Sequence, residues 1–100
     1  METRRELPPN RELDELRDKI DRIDKQIIPL FAERFRLTEE IGLYKKEHQM
    51  NPEDASREEE IRNKRHLVCE QEGIGTDTVD AIYECVLRQV KKRHAEIRES

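Results

Sequence analysis

Residues 13–44 read LDELRDKIDRIDKQIIPLFAERFRLTEEIGLY, and the spacing of the apolar residues in this stretch decides the fold class. Leu13, Ile20, Ile27 and Ile41 recur in one heptad position, with Arg34 in the remaining place. Leu16, Ile23, Leu30, Leu37 and Tyr44 occupy a second position three residues on. A heptad sustained over this length is the pattern of one helix carrying an apolar seam. The helix is expected from about Arg11 to His48, with Asn10 as its cap and Glu12 in the first turn. At 1.5 Å per residue it would be about 57 Å long, whereas a compact domain of this size has a radius of gyration of about 13 Å. Such a seam cannot be buried inside one small globule. Either Pro29 interrupts the helix or a second chain covers it. Pro29 lies off the seam, where a kink on the outer face costs about 3 kcal/mol. The favoured reading is all-α, with three helices (one very long, one short, one medium) forming an intertwined homodimer.

Working outward, the 100 residues suffice for one small domain. Charged residues make up 44% of the chain and hydrophobic ones 33%, a balance that would suit disorder without the heptad. Twenty basic against 24 acidic residues leave a net charge of -4, which excludes a strongly basic nucleic-acid binder. No apolar run reaches the ~18 residues of a membrane span and no signal peptide opens the chain, so no membrane partner and a cytoplasmic location are expected. With 3 glycines and 4 prolines a turn-rich β fold is disfavoured. Cys69 and Cys85 are far apart, and His48, His66 and His94 are scattered. A disulfide or a structural zinc site is therefore not expected, and the thiols read as semi-buried in a reducing compartment.

Residues 1–10 read as a flexible tail and residues 11–100 as one helical domain. Gln49-Met50-Asn51-Pro52 is a break, with Asn51 as the cap of a second helix and Ser56-x-x-Glu59 as a competing capping box. That helix is expected from about Glu53 to Gln71, with Ile61, Leu67 and Val68 as its apolar contacts. Gly73-Ile74-Gly75 closes it, and Thr76 caps a third helix whose inner stripe is Val79, Ile82, Tyr83, Val86, Val90 and Ile97.

Charges that interrupt these stripes carry the functional information. Arg34 sits in the seam, Lys45 lies near the same line three turns later, and Arg17 flanks it near the start. Asp54 and Glu58 are one turn apart on the line continued by Ile61, and His94 follows Val86 and Val90 in steps of four. A buried charge needs a partner. One solution is a salt-bridge network among Arg34, Lys45, Asp54 and Glu58. The other is a pocket where cations meet a small dianion and carboxylates hold its hydroxyl. The pattern leaves both open.

Four strings in order resemble the all-helical chorismate mutase family, the AroQ class. They are Leu16-Arg17-Asp18-Lys19-Ile20-Asp21-Arg22-Ile23-Asp24, Leu30-Phe31-Ala32-Glu33-Arg34, Ile41-Gly42-x-x-Lys45 and Asp54-x-x-Arg57-Glu58. The resemblance spans about residues 13–98. It implies a homodimer that converts chorismate to prephenate by an intramolecular Claisen-type rearrangement, with no cofactor or metal. Catalysis then consists of holding the chair conformer and stabilising charge on the ether oxygen.

Residue by residue, the resemblance implies that Arg34 clamps one carboxylate and that Arg17 reaches the partner's site to clamp the other. Lys45 contacts a carboxylate and the ether oxygen, Asp54 and Glu58 hold the ring hydroxyl, and Arg57 orients substrate. On the third helix the chain departs from the pattern. The small polar position falls on Val90, the glutamine that donates to the ether oxygen falls on His94, and Lys91 replaces an apolar residue. Three other readings share the fold: an isochorismate-pyruvate lyase, a mutase acting on 4-amino-4-deoxychorismate, and a non-catalytic helical dimerisation module.

Overall fold

The computed structural model describes residues 8–100, which form α1 (Pro8–Glu47), α2 (Ala55–Glu72) and α3 (Thr76–Glu99), with no strand among the described residues. Most of the expected tail lies outside them. Helix α1 starts at Pro8, so Asn10 lies within its first turn instead of capping it, and the first turn holds no acidic residue. Proline is tolerated there because the N–H it lacks has no partner inside the helix. The helix runs on through Pro29 for 40 residues, so the proline does not end it.

Two units make up the chain, Met1–Phe35 and Arg36–Ser100. In the first, the heptad residues stay open to solvent: Leu16 and Ile20 are each 56% exposed and Leu30 is 63% exposed. Phe31 and Phe35, one turn apart, stack with ring centroids 6.4 Å apart.

The second unit contains the end of α1 and the other two helices. Helix α1 stops in a Schellman turn. The Met50 N–H donates to Lys45 O at 2.8 Å and the Gln49 N–H to Lys46 O at 3.2 Å, with Gln49 in the left-handed region at φ 57°. The connection is then held by short side-chain bonds. Asn51 Oδ1 accepts from the Glu53 N–H at 2.9 Å, and Asp54 Oδ1 accepts from the Arg57 N–H at 3.0 Å. Asp54 is therefore the cap of α2, not Asn51, and the Ser56-to-Glu59 box lies inside the helix. At the other end Gly73 adopts φ 71°, and its N–H and that of Ile74 both turn back to Cys69 O. Thr76 is the first residue of α3, whose cap is Gly75 without a side-chain bond.

Helices α2 and α3 form an antiparallel hairpin. Arg65 and His66 on α2 both reach Asp80 on α3, at 3.0 and 2.9 Å, and the Arg65 guanidinium lies 4.5 Å from the centre of the Tyr83 ring. Arg65 is only 14% exposed, and its Nε is buried without a hydrogen bond. The aromatic face and the Asp80 carboxylate offset that desolvation. The expected contacts of α2 are corrected here. Leu67 and Val68 are exposed, and Cys69 is the buried residue of this helix. Apolar residues on α2 are too sparse to define a stripe, so the position closest to the turn wins burial. Ile82 of α3 is likewise exposed. Both cysteines are free, but only Cys69 is buried and Cys85 is exposed.

The last turns of α3 run parallel to the end of α1. Arg93 grips both oxygens of Glu39 at 2.7 and 2.6 Å, and His94 Nε2 bonds Thr38 O at 2.8 Å. Lys46 Nζ donates to Ile97 O at 2.9 Å. Gly42 makes the approach possible. A Cβ at that position would lie 2.7 Å from His94 Cδ2 and 3.0 Å from Ile97 Cδ1. Ile97 is buried in the notch, and with Val86 and Cys69 it forms the buried apolar core among the described residues. None of the described helices is long and apolar enough to cross a membrane.

Two predictions follow from this packing. Gly42→Ala should lower the melting temperature, because overpacking costs about 1–3 kcal/mol and outweighs the ~1 kcal/mol of helix propensity that alanine gains. In a His94→Ala background the same change should become neutral or stabilising, which thermal unfolding of the four variants reads directly. The second concerns acid. Hydrogen bonds from His66 and then from Arg65 hold the Asp80 carboxyl below its usual 3.8. A carboxyl depressed in the fold stabilises above its unfolded value and loses that contribution as pH falls through the folded one. Acid melting curves below about pH 4 should therefore be shallower for Asp80→Asn than for the parent.

Candidate functional site

A cavity of about 120 Å³ opens where α2 and α3 meet the loop after α1. Its walls include Pro52 and Glu53 from the loop, Glu58 from α2, and Leu87, Val90, Lys91, His94 and Arg98 from α3. Beside it a recess of about 10 Å³ is walled by Gly42, Lys45, Lys46, Met50, Pro52, His94 and Arg98. Pro52, His94 and Arg98 belong to both walls. Glu58, Val90 and His94, chosen from the sequence as site residues, thus share one cavity, and Lys45 stands in the adjoining recess.

Each wall has a local cause. The Asp54 cap starts α2 one residue before Ala55, which places Glu58 in the first turn. The antiparallel hairpin sets Glu58 across from Leu87. The Gly42 notch brings His94 against α1. Lys45 is half-buried, and its Nζ donates to Pro52 O at 3.2 Å, tying the recess to the loop. Glu58 makes no ion pair and no side-chain hydrogen bond among the described residues. Since Lys45 bonds a carbonyl and Asp54 caps a helix, no ion pair joins Lys45, Asp54 and Glu58. Over those three residues the salt-bridge network does not form.

The other sequence-derived residues lie elsewhere. Asp54 is exposed and its Oδ1 is engaged in capping, because it stands just outside the helix and helical spacing does not apply to it. Arg57 is exposed and pairs with Glu60 at 2.6 Å. Arg17 is exposed and Arg34 half-buried, both in the first unit. Residue spacing left Arg98 unmarked, although it falls one turn beyond His94 on the stripe of Val86 and Val90.

The electrostatics beside His94 are settled by pairing. The Glu39 carboxyl is held below its ordinary value by the hydrogen bond from Arg93, whose own affinity for its proton is raised by the same bond. That pair cancels its charge next to the site. For His94 itself the geometry fixes the tautomer. Thr38 O can only accept, so Nε2 carries the hydrogen, and the Nδ1 of a neutral ring can accept but not donate.

A second, wider groove of about 450 Å³ runs along α2 and α3 past Arg62, Arg65, Asp80 and Glu84, and it shares Glu58 and Leu87 with the cavity. Glu58 stands at the junction of the two.

The all-helical second unit thus carries a small cavity walled by lysine, arginine and two free carboxylates. Comparison with known families says where such a chain belongs. The sequence matches the family described as chorismate mutase type II over residues 16–95, and the chain belongs to that family. It is also similar to the T-protein of Haemophilus influenzae, 31% identical over 77 residues. That match covers 77% of this chain but only 20% of the T-protein, so the chain corresponds to a fifth of that relative. No solved structure matches it.

Proposed function

We propose that this chain is a chorismate mutase, converting chorismate to prephenate by an intramolecular Claisen-type rearrangement on the route to aromatic amino acids. The observation that carries the reading is the convergence of Glu58, Val90 and His94 on one cavity, with Lys45 beside it, in a chain of this family. The reaction forms one carbon–carbon bond as the ether carbon–oxygen bond breaks, and it needs no proton transfer or nucleophile. The protein's task is to select the chair conformer and to meet negative charge gathering on the ether oxygen.

In this scheme Lys45 faces a carboxylate and the ether oxygen, and Glu58 accepts from the ring hydroxyl. Asp54 assists from the cap of α2 with its second oxygen. Arg57 orients substrate from outside the cavity. Val90 contributes only shape, since it has no polar atom to offer. Arg34 clamps a carboxylate, and its planar fork suits the bidentate geometry. A cavity of about 120 Å³ is smaller than the roughly 300–1,000 Å³ of complete ligand sites. The missing wall is assigned to a second copy of the chain, which would cover the exposed heptad and deliver its Arg17. Free carboxylates at Glu53 and Glu58 would also suit an ammonium group. That makes the rearrangement of 4-amino-4-deoxychorismate the second reading, and identification of the product separates the two.

The test is to mix the protein with chorismate, follow the loss of its absorbance and identify prephenate. Arg34→Ala should lower kcat/KM by about two orders of magnitude or more, as loss of a charged substrate contact does, while helicity persists. Arg17→Ala should do likewise. Mixed Arg17→Ala and Arg34→Ala chains should regain partial activity, because a heterodimer holds one site with both arginines. Failure to regain any, with both variants folded, would rule out shared sites.

The fixed tautomer of His94 generates a further expectation. Only the doubly protonated ring has a hydrogen on Nδ1 to give the ether oxygen. The charged groups around it are Glu39, Lys45 and Lys46 on α1, Glu53 and Glu58 across the cavity, and Lys91, Arg93 and Arg98 on α3, with Arg93 paired to Glu39. His94→Ala should lower turnover at saturating chorismate. His94→Gln, whose amide also donates, should keep it. A fully active His94→Ala variant would remove His94 from the chemistry.

A further inference from the structure

Arg98 has no part in the scheme above, yet it lines both the cavity and the recess. We propose that Arg98 is a specificity-determining residue whose guanidinium binds a carboxylate of the dianionic substrate where cavity and recess join. The proposal rests on the mutase reading and adds a carboxylate contact to it.

The first argument is charge. Lys45, Lys46 and Arg98 wall the recess, and no carboxylate does. Three cations around so small a space repel one another, and an entering anion relieves the repulsion. The second is the state of those cations. Lys46 donates to Ile97 O and Ser100 O, at 2.9 and 2.6 Å, and Lys45 donates to Pro52 O at 3.2 Å. Arg98 makes no hydrogen bond or ion pair among the described residues. Acids outnumber bases in this chain, 24 to 20. Arg93, a little over one turn back on α3, is saturated by Glu39 and Glu96. An arginine left unpaired in such a chain, between two committed lysines, is free for an anion from outside.

The third argument is positioning. Ile97 is 3% exposed in the Gly42 notch, and Lys46 holds its carbonyl. The backbone that carries Arg98 is therefore anchored on both sides of the helix end. From a fixed Cα, a planar five-donor fork recognises a carboxylate with two parallel bonds. The fourth is need. Val90 donates nothing, so apart from Lys91 and a doubly protonated His94 this stretch of wall would otherwise present no donor to an anion.

The experiment compares the parent with Arg98→Ala, Arg98→Gln, Arg98→Lys and Lys64→Ala, the last removing one positive charge from the outer face of α2. Steady-state turnover of chorismate gives kcat and KM separately, titration calorimetry with chorismate gives affinity, and circular dichroism checks folding. Arg98→Ala and Arg98→Gln should raise KM about tenfold or more, the scale of one charged contact, with little change in kcat. Arg98→Lys should be intermediate and Lys64→Ala unchanged. A KM within twofold of the parent for folded Arg98→Gln overturns the proposal, as does an equal effect of Lys64→Ala. Should the parent bind chorismate but form no prephenate, the mutase reading fails alone, and weaker binding by Arg98→Gln still supports the contact. Equal binding by parent and variant, or none by the parent, overturns it.

Discussion

The close approach of α3 to α1 at Gly42 is the constraint on which the rest of the second unit depends. Only a residue without a Cβ leaves room for the His94 ring and the Ile97 side chain against the helix. Once they are seated, Arg93 falls opposite Glu39 and Lys46 reaches the carbonyls at the end of α3. Helix propensity alone would favour alanine at this position by about 1 kcal/mol. The glycine gives up that local preference for a tertiary contact, and the cavity walls follow from the contact.

Charge pairing in this chain divides the ionisable residues into two sets. Arg93 with Glu39, an exposed pair, and Arg65 and His66 with Asp80, a part-buried one, join helices. Glu58, Lys91 and Arg98 stay unpaired around the cavity. Unpaired charge beside a concave surface is unfavourable for the empty protein and useful for a ligand of matching charge. The same division explains how a chain with 44% charged residues folds at all. Its helices are tied by a few ion pairs and one apolar notch, and the small buried core of Cys69, Val86 and Ile97 is supplemented by polar contacts.

The exposed heptad of α1 is the counterpart of that small core. Leu residues more than half exposed at regular spacing represent apolar area that a single chain leaves in water. Under the proposed function a second copy covers this surface and completes the site, which would make assembly and catalysis depend on the same residues.

How much of this was legible in the sequence follows from the range of the forces involved. The length and helicity of α1 were set by the heptad, since periodicity is local, and the turns at Gln49–Pro52 and Gly73–Gly75 were set by residues that favour them. Glu58, Val90 and His94 could be chosen as neighbours from helical spacing and resemblance, because each sits inside a regular helix. Asp54 could not be placed that way. Its capping role depends on where α2 starts, and local signals at Asn51, Asp54 and Ser56 compete within a few tenths of a kcal/mol to decide that. Burial of Cys69 over Leu67 and Val68, the tautomer of His94, and the isolation of Arg98 between two engaged lysines were decided by tertiary structure alone. Each depends on which atoms of distant segments meet, and a side chain's spacing along its own helix carries no information about its partner across the interface.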